Sequence, residues 1–337
     1  MRSAVKAVAA DGIKAPQDAW QTLSSHAHLS AESGPSGNDD APGDLSPPAG
    51  VDPEAVLGIA GRDPFDYNVP MSLPMRVGLL FDHDFDAVAH ARLEGGGYCF
   101  DRGGLDLFSF PSNLGLLGFD LDRFAQAQAR RARRRGWAGV VSHQDQFGAL
   151  AAALVAQAAG LPGTSPESII ACQHKLHARR VLERVCPEAN LGFAELDWRY
   201  GEPIPEGLAY PCFVKPMKAA FSVLARRVAS RAELQAHTRF GAREQWIIRR
   251  LVEPFDRIAR QRLSQAGSAH RLLLEELRRG AQYNLDGYVH EGQVQVLGVV
   301  DAIMYPGTQA FQRWELPSRL PPQVIDQAAD VAFRFLQ

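Results

Sequence analysis

Short apolar runs alternate with stretches of helical periodicity from about residue 71 onwards. Three of the runs are predicted to be strands: 77–81, 105–110 and 138–141. Between and after them, apolar positions recur at helical spacing, which predicts helices at 120–134 and 144–159. Because strands that alternate with helices favour a parallel sheet, we expect residues 71–163 to form a small parallel α/β domain.

The pattern changes in the second half of the chain. Ser165 is a suitable N-cap and Pro166 a suitable first helical residue, so we expect a helix from there, with a break, to residue 185. Five later runs are predicted to be strands: 212–214, 222–228, 272–275, 283–290 and 294–304. A capping box at 230–233 and an amphipathic pattern at 322–337 predict two further helices, so this half is expected to be α+β.

Residues 1–70 differ in composition from the remainder. The stretch 31–52 consists mostly of Ser, Gly, Pro, Asp and Asn and offers almost no apolar surface to bury. Such a segment cannot offset the entropy lost on ordering. We therefore expect residues 1–70 to be a disordered N-terminal segment.

Charge and cysteine content narrow the classes of partner and compartment. The 337 residues contain 36 basic and 38 acidic side chains, so no overall positive field is available to hold nucleic acid or an anionic membrane. No apolar stretch is long enough for a transmembrane helix. The four cysteines are far apart and form no CxxC pair, which favours reduced thiols and a cytoplasmic location.

Charged residues stand at the ends of several predicted elements. Lys175 lies in the helical pattern that follows the sequence GLPGTSPE, and Lys215 ends the apolar run FVKP. Glu275 and Glu276 end the apolar run LLLEE. Taken singly, residues of this kind are most often solvated surface charges.

A pair of histidines shares one predicted helical face. His174 and His177 are three residues apart, but no carboxylate or cysteine completes a set of metal ligands. We expect an exposed pair without a metal.

The order and spacing of the charged motifs resemble those of the ATP-grasp superfamily, and more closely its carboxylate–amine ligases. The resemblance begins near Arg76 and includes the stretches 283–288 (YNLDGY) and 298–307 (GVVDAIMYPG). It implies a pre-ATP-grasp α/β domain at 71–163. It also implies an ATP-grasp domain at 164–337 with a lid subdomain at about 205–275.

The resemblance implies roles for residues that contact the phosphates of ATP. Lys175 and Lys215 would bind them as point charges. A loop between two strands, ending at Ser222, would cover them. In the family this loop is usually rich in glycine, whereas here residues 218–222 read KAAFS.

The resemblance also implies contacts to the rest of the nucleotide. A carbonyl or carboxylate near Glu275 or Glu276 would accept a hydrogen bond from the adenine amino group, and the backbone N–H of Leu277 would donate one to the ring. Gln282 stands where the family often has a glutamate that binds the ribose hydroxyls, and an amide oxygen can also accept these bonds.

The substrates implied by the resemblance are a small-molecule carboxylate and an amine. Arg313 is a candidate for pairing with the substrate carboxylate, and a solvated arginine of a hairpin is the equally open alternative. The intact enzyme would phosphorylate the carboxylate to an acyl phosphate, which the amine would then attack.

Magnesium is also implied by the resemblance, but its ligands are missing from the chain. The family holds the ion with an acid on one strand and an acid-x-Asn-Pro-Arg motif on a later one, and this sequence contains no Asn-Pro dipeptide. Asp301 is the one nearby acid that could assist in place of those ligands. We therefore expect an ATP-grasp domain that is truncated at its C-terminal end, without metal ligands and with little turnover. A catalytically inactive nucleotide-binding fragment or partner subunit and an ATP-grasp kinase of small molecules both stay open.

Overall fold

A computed structural model describes residues 3–7, 74–82, 87–106, 112–197, 203–219, 224–278, 280–306 and 311–337. The strands of these residues, in chain order, are β1 (Ser3–Ala7), β2 (Met75–Leu80), β3 (Tyr98–Gly103), β4 (Gly139–Val141), β5 (Phe193–Asp197), β6 (Cys212–Pro216), β7 (Arg226–Val228), β8 (Arg271–Glu276), β9 (Gln282–His290), β10 (Gln293–Met304) and β11 (Phe311–Glu315). The α-helices are α1 (Ala87–Gly95), α2 (Leu121–Arg135), α3 (Gly148–Ala159), α4 (Pro166–Gln173), α5 (Lys175–Val185), α6 (Arg231–His237), α7 (Ala242–Arg262) and α8 (Pro322–Leu336).

A parallel sheet forms the N-terminal α/β unit, in the strand order β3-β2-β4. Helix α2 packs beside it through the buried face formed by Leu121, Ala125, Ala129 and Ala132. Helix α3 is apolar on most of its surface and packs against α2. The predicted parallel α/β unit is therefore present.

Two antiparallel sheets make up the remainder of the described chain. One has the order β5-β8-β6-β7, and its buried residues belong to the same core cluster as those of the parallel unit. The other has the order β1-β9-β10-β11, and α8 packs on it around a smaller cluster formed by Leu285, Val299 and Ala332. The fold is thus the expected mixture of a parallel α/β unit and an α+β part.

Most predicted elements are present, and the predicted break in the long helix falls at His174, between α4 and α5. The elements that were not predicted include β1, β3, β5, α7 and β11. The predicted strand at 105–110 is not seen at Leu105 and Asp106, and 107–110 lie outside the described residues. Residues 3–7 form β1, which pairs with β9, so the disorder expected for residues 1–70 is wrong for these five. Residues 8–70 lie outside the described residues, and for them disorder stays a prediction.

Candidate functional site

The centre of the site is an ion pair between two neighbouring strands. In the antiparallel register of β6 and β8, Phe213 lies opposite Glu275. Lys215, two residues further along β6, therefore shares the face of Glu275. The Lys215 Nζ lies 2.6 Å from the Glu275 Oε2, with the side chain of Glu275 fully buried.

Helix α5 adds a second cation to the same carboxylate. Arg179 follows Lys175 by one helical turn, so the two side chains share a face of the helix. The Arg179 Nε lies 2.6 Å from the Glu275 Oε1, and only 7% of the Arg179 side chain is exposed. Asn190 accepts a bond from Arg179 and donates one to its backbone carbonyl. Glu275 is thus held between cations from a helix and a strand.

The charge state of Glu275 follows from these contacts. Burial acts to raise the pKa of the carboxyl, but the charges and hydrogen bonds of Lys215 and Arg179 outweigh burial and lower it below its ordinary value. Glu275 is therefore ionised at neutral pH, and it keeps Lys215 in a fixed position on the sheet.

Lys175 begins α5 and contacts the loop that follows β6. Its backbone N–H donates to the Met217 carbonyl over 3.2 Å, and its Nζ donates to the Ala219 carbonyl, also over 3.2 Å. Burial, together with the charge of Lys215, lowers the pKa of Lys175 to about 8. The amine is therefore close to its titration range at neutral pH and has no acid as a direct partner among these contacts.

Lys218 lies close to the half-buried Lys175 and Lys215 and is itself buried. It was predicted to lie in the loop after β6, and no role was predicted for its side chain. Its Nζ donates to the Asp145 carbonyl over 2.6 Å and to the Gln173 Oε1 over 3.0 Å. It also lies 5.2 Å from the centre of the Phe255 ring. Burial and the charge of Lys175 lower the pKa of Lys218 to about 7.

Predicted contacts to adenine and ribose lie at the end of β8 and the start of β9. Glu276 faces away from Glu275, is exposed, and lies 3.3 Å from Arg278. Its backbone N–H donates to the Gly192 carbonyl, and Leu277 follows it, half-buried. Gln282 begins β9 in the other antiparallel sheet, opposite Ala302 of β10. Ser222, which follows β6, lies outside the described residues.

We call Lys175, Lys215 and Glu275 the lysine cluster. Arg313 lies on β11, apart from this cluster in the described contacts. About half of its side chain is exposed, and its Nε is 2.6 Å from the Glu315 Oε1. Asp301 of β10 is buried and accepts bonds from the Ser318 hydroxyl and the Arg319 backbone N–H. The acid considered for metal assistance is thus already engaged by its own chain.

The expectation that His174 and His177 form an exposed pair is wrong. His174 is fully buried, and its Nδ1 accepts a bond from the His177 N–H at the start of α5. Burial, followed by the nearby His177, lowers the pKa of His174 to about 4, so the ring is neutral. His174 is a helix cap, which explains why the long predicted helix breaks at this residue.

A magnesium site requires carboxylates that are not already neutralised by cations of the protein. Among the described residues, one group of possible ligands comes together: Glu253, Asp256 and His270. The Arg260 Nε lies 2.7 Å from the Asp256 Oδ2, so a cation already neutralises this group. At the lysine cluster, Glu275 is engaged by Lys215 and Arg179. The described residues therefore do not fit a magnesium site.

Two further expectations can be compared with the structure. All four cysteines are free, as their spacing predicted: Cys99, Cys172, Cys186 and Cys212. Within the described ranges, no helix has the length and apolar character that crossing a membrane requires.

Comparisons with known proteins give no match by sequence and clear matches by structure. No protein-family model matches the chain, and no curated protein matches it. L-amino acid ligase from Bacillus licheniformis superposes on 79% of this chain with a TM-score of 0.57 and 18% identity. The ADP complex of N5-carboxyaminoimidazole ribonucleotide synthetase covers 79% with a TM-score of 0.51 and 11% identity.

A third similar structure is carboxyaminoimidazole ribonucleotide synthase from Aspergillus clavatus complexed with ATP, which covers 78% of this chain with a TM-score of 0.50 and 13% identity. The chain spans 62%, 63% and 62% of the lengths of these three proteins. At such low identities the similarity establishes the fold and not the activity. The chain has the ATP-grasp fold, as the order of its motifs predicted.

Proposed function

We propose that this chain binds ATP at the cluster formed by Lys175, Lys215 and Glu275. The observation that supports this proposal is the placement of two lysines from different elements: Lys215 pairs with the buried Glu275, and the charges of Lys215 and Glu275 both act on the nearby Lys175. Lys215 is paired with Glu275, whereas among the described residues the Nζ of Lys175 donates to a neutral carbonyl. A phosphate group is the kind of ligand that such amines bind with charge-assisted hydrogen bonds. The nucleotides bound in two of the similar structures support this assignment.

The remaining contacts are proposed from the resemblance. A carbonyl or the carboxylate at Glu276 and the N–H of Leu277 would recognise adenine, since the carboxylate of Glu275 is already held by Lys215 and Arg179. Gln282 would bind the ribose. Ser222 would lie in the loop over the phosphates. The domain limits that accompany this proposal are 71–163 for the pre-ATP-grasp unit and 164–337 for the ATP-grasp unit, with its lid at about 205–275.

The proposed reaction is ATP-dependent ligation of a carboxylate to an amine. A carboxylate oxygen attacks the γ-phosphorus, ADP leaves, and an acyl phosphate forms. The amine then attacks the acyl carbon, and phosphate leaves. Lys175 and Lys215 would stabilise the negative charge on the phosphate oxygens, while Arg313 would orient the substrate carboxylate. The family reaction uses magnesium, and no step is assigned to it here because the described residues do not fit the ion.

A second candidate is a nucleotide-binding partner subunit without catalysis. The observation that favours it is the acid content: Glu275 is engaged by two cations, and the 337 residues contain no Asn-Pro dipeptide. Binding of ATP is common to both candidates, so turnover separates them.

The ligase proposal predicts ADP formation that depends on a carboxylate substrate. Trapping with hydroxylamine converts an acyl phosphate to a hydroxamate, so the chain is incubated with magnesium, ATP, hydroxylamine and pools of amino acids and other small acids. We expect ADP and a hydroxamate to appear together, at the low rate expected of a chain without the family's magnesium ligands. The matched control is Lys215→Met, which should lower both. Formation of AMP and pyrophosphate would contradict the acyl phosphate route. Binding of ATP without formation of ADP or a hydroxamate would favour the partner subunit.

A further inference from the structure

Lys218 is fixed next to Lys175 by the backbone on both sides of it. Met217 and Ala219 flank Lys218, and their carbonyls accept the two hydrogen bonds that Lys175 donates. Lys218 itself is only 4% exposed. The half-buried Lys175 and the buried Lys218 are therefore held near each other by α5 and by the residues that directly follow β6.

The acids around these lysines do not balance their charge. The charged groups that face them come from several elements: Lys215 of β6, Arg179 of α5, Glu275 of β8 and Asp145 of the turn before α3. His174, beside Lys175, is neutral. Glu275 already pairs with Lys215 and Arg179, and Asp145 is exposed. Within the described residues, no carboxylate oxygen lies within 4 Å of the Nζ of Lys175 or Lys218.

Holding one buried and one half-buried amine side by side without a paired acid is unfavourable for their charged forms unless a ligand supplies negative charge. The partners of Lys218 are a carbonyl and an amide oxygen, which orient an amine without neutralising it. A phosphate group that reached both amines would supply the missing charge.

We propose that Lys218 and Lys175 form a two-lysine subsite for the terminal phosphate groups of the nucleotide. Side-chain amines would here provide contacts that backbone N–H groups of a glycine-rich loop provide in the family that the sequence resembles. The proposal rests on ATP binding as the proposed function and adds Lys218 to it, as a binding residue specific to the terminal phosphates.

The subsite predicts that ATP binding is coupled to the uptake of protons by the two lysines. The pKa values of about 8 for Lys175 and about 7 for Lys218 leave part of the amines neutral just above neutral pH. A bound phosphate favours the charged form and raises both values. ATP binding should therefore take up protons, on the order of one per ATP, and its affinity should fall as the pH rises from about 7 to about 9.

The experiment is a calorimetric titration of wild-type protein and Lys218→Met with ATP, ADP and AMP, all in the presence of magnesium. We expect Lys218→Met to bind ATP roughly 10- to 100-fold more weakly, because one charge-assisted contact is removed, and to bind AMP almost as wild type does. Equal losses for ATP and AMP would indicate a merely structural lysine and overturn the subsite, as would unchanged ATP affinity in this variant.

A second measurement needs no variant. Titrations of wild type with ATP at pH 7.5, in two buffers that differ in ionisation enthalpy, report proton uptake directly. Uptake supports the subsite, and equal heats in the two buffers would overturn it. If the wild type binds no ATP, the proposed function fails and the subsite fails with it; if it binds ATP without the Lys218 effects, only the subsite fails.

Discussion

Glu275 is the residue on which the arrangement of the site depends. Its two carboxylate oxygens lie 2.6 Å from Lys215 and 2.6 Å from Arg179, and its side chain has no exposed surface. A buried carboxylate with two cations is stabilised only while both contacts are present. We therefore expect Arg179 to act on the site through Glu275 and not by touching the nucleotide.

A double-mutant cycle tests this role of Arg179. Arg179→Met leaves Glu275 with one cation, and Glu275→Gln leaves two cations without an acid. We expect each to destabilise the fold by about 3 kcal/mol. The double variant should cost less than the sum, with a coupling of about 0.5–3 kcal/mol in urea unfolding. Additive losses would show that the two side chains do not act on each other.

The free energy of unfolding as a function of pH in the acid range provides a second test of the Glu275 contacts. Because the pKa of Glu275 is lowered in the folded state, its stabilising effect is present above its ordinary value of 4.5 and is lost as the pH falls below that value. Glu275→Gln should therefore lose less stability than wild type between neutral pH and the acid range. A parallel loss in the two proteins would contradict an ionised Glu275.

Residue roles could be predicted only where a motif carried them. Lys175, Lys215 and Glu275 were selected from the order of their motifs, and the structure pairs Lys215 with Glu275 and holds Lys175 near both. Their roles toward a nucleotide stay predictions. Arg179 could have been found from its spacing of four residues from Lys175. Lys218 gave no such indication, because a lysine in a loop is usually solvated and only tertiary packing buries it. The same packing made the expectation for His174 wrong.

At the scale of elements, sequence periodicity predicted those helices whose ends and buried face are set by local residues. Helix α2 has a capping aspartate, a buried apolar face and a C-terminal glycine, and all three are visible in the sequence. Helix α7 was not predicted, although Ile248, Val252, Phe255 and Ala259 repeat at helical spacing and are buried. Pro254 lies inside this helix and many arginines surround the apolar positions, so the pattern is masked.

The end of α2 offers a test of an element boundary. Gly136 has a φ of 63°, in the left-handed region, and an added Cβ would meet nothing within 4 Å. Gly136→Ala should therefore cost roughly 1 kcal/mol through backbone strain alone. Gly118→Ala is the control, since its Cβ would also meet nothing and its φ is not left-handed. Equal unfolding free energies for the two variants would contradict this helix end.

At the scale of the whole molecule, the fold brings distant segments to one place. Lys175, Lys215 and Glu275 are separated by at least 40 residues, and they meet because α5 packs over the sheet in which β6 and β8 are neighbours. Sequence patterns predicted the strands but not their order in the sheet. The order became predictable only through the resemblance to a known fold, which the structural comparisons bear out.

The central claim is that this lysine cluster binds ATP, and a titration with a fluorescent ATP analogue tests it most directly. The proteins compared are wild type, Lys175→Met, Lys215→Met and Arg134→Met, the last being an exposed cation of α2 away from the cluster. We expect roughly 10- to 150-fold weaker binding in each lysine variant, since each loses a charge-assisted contact of about 1.5–3 kcal/mol, and unchanged binding in Arg134→Met. Wild-type affinity in both lysine variants would contradict the claim.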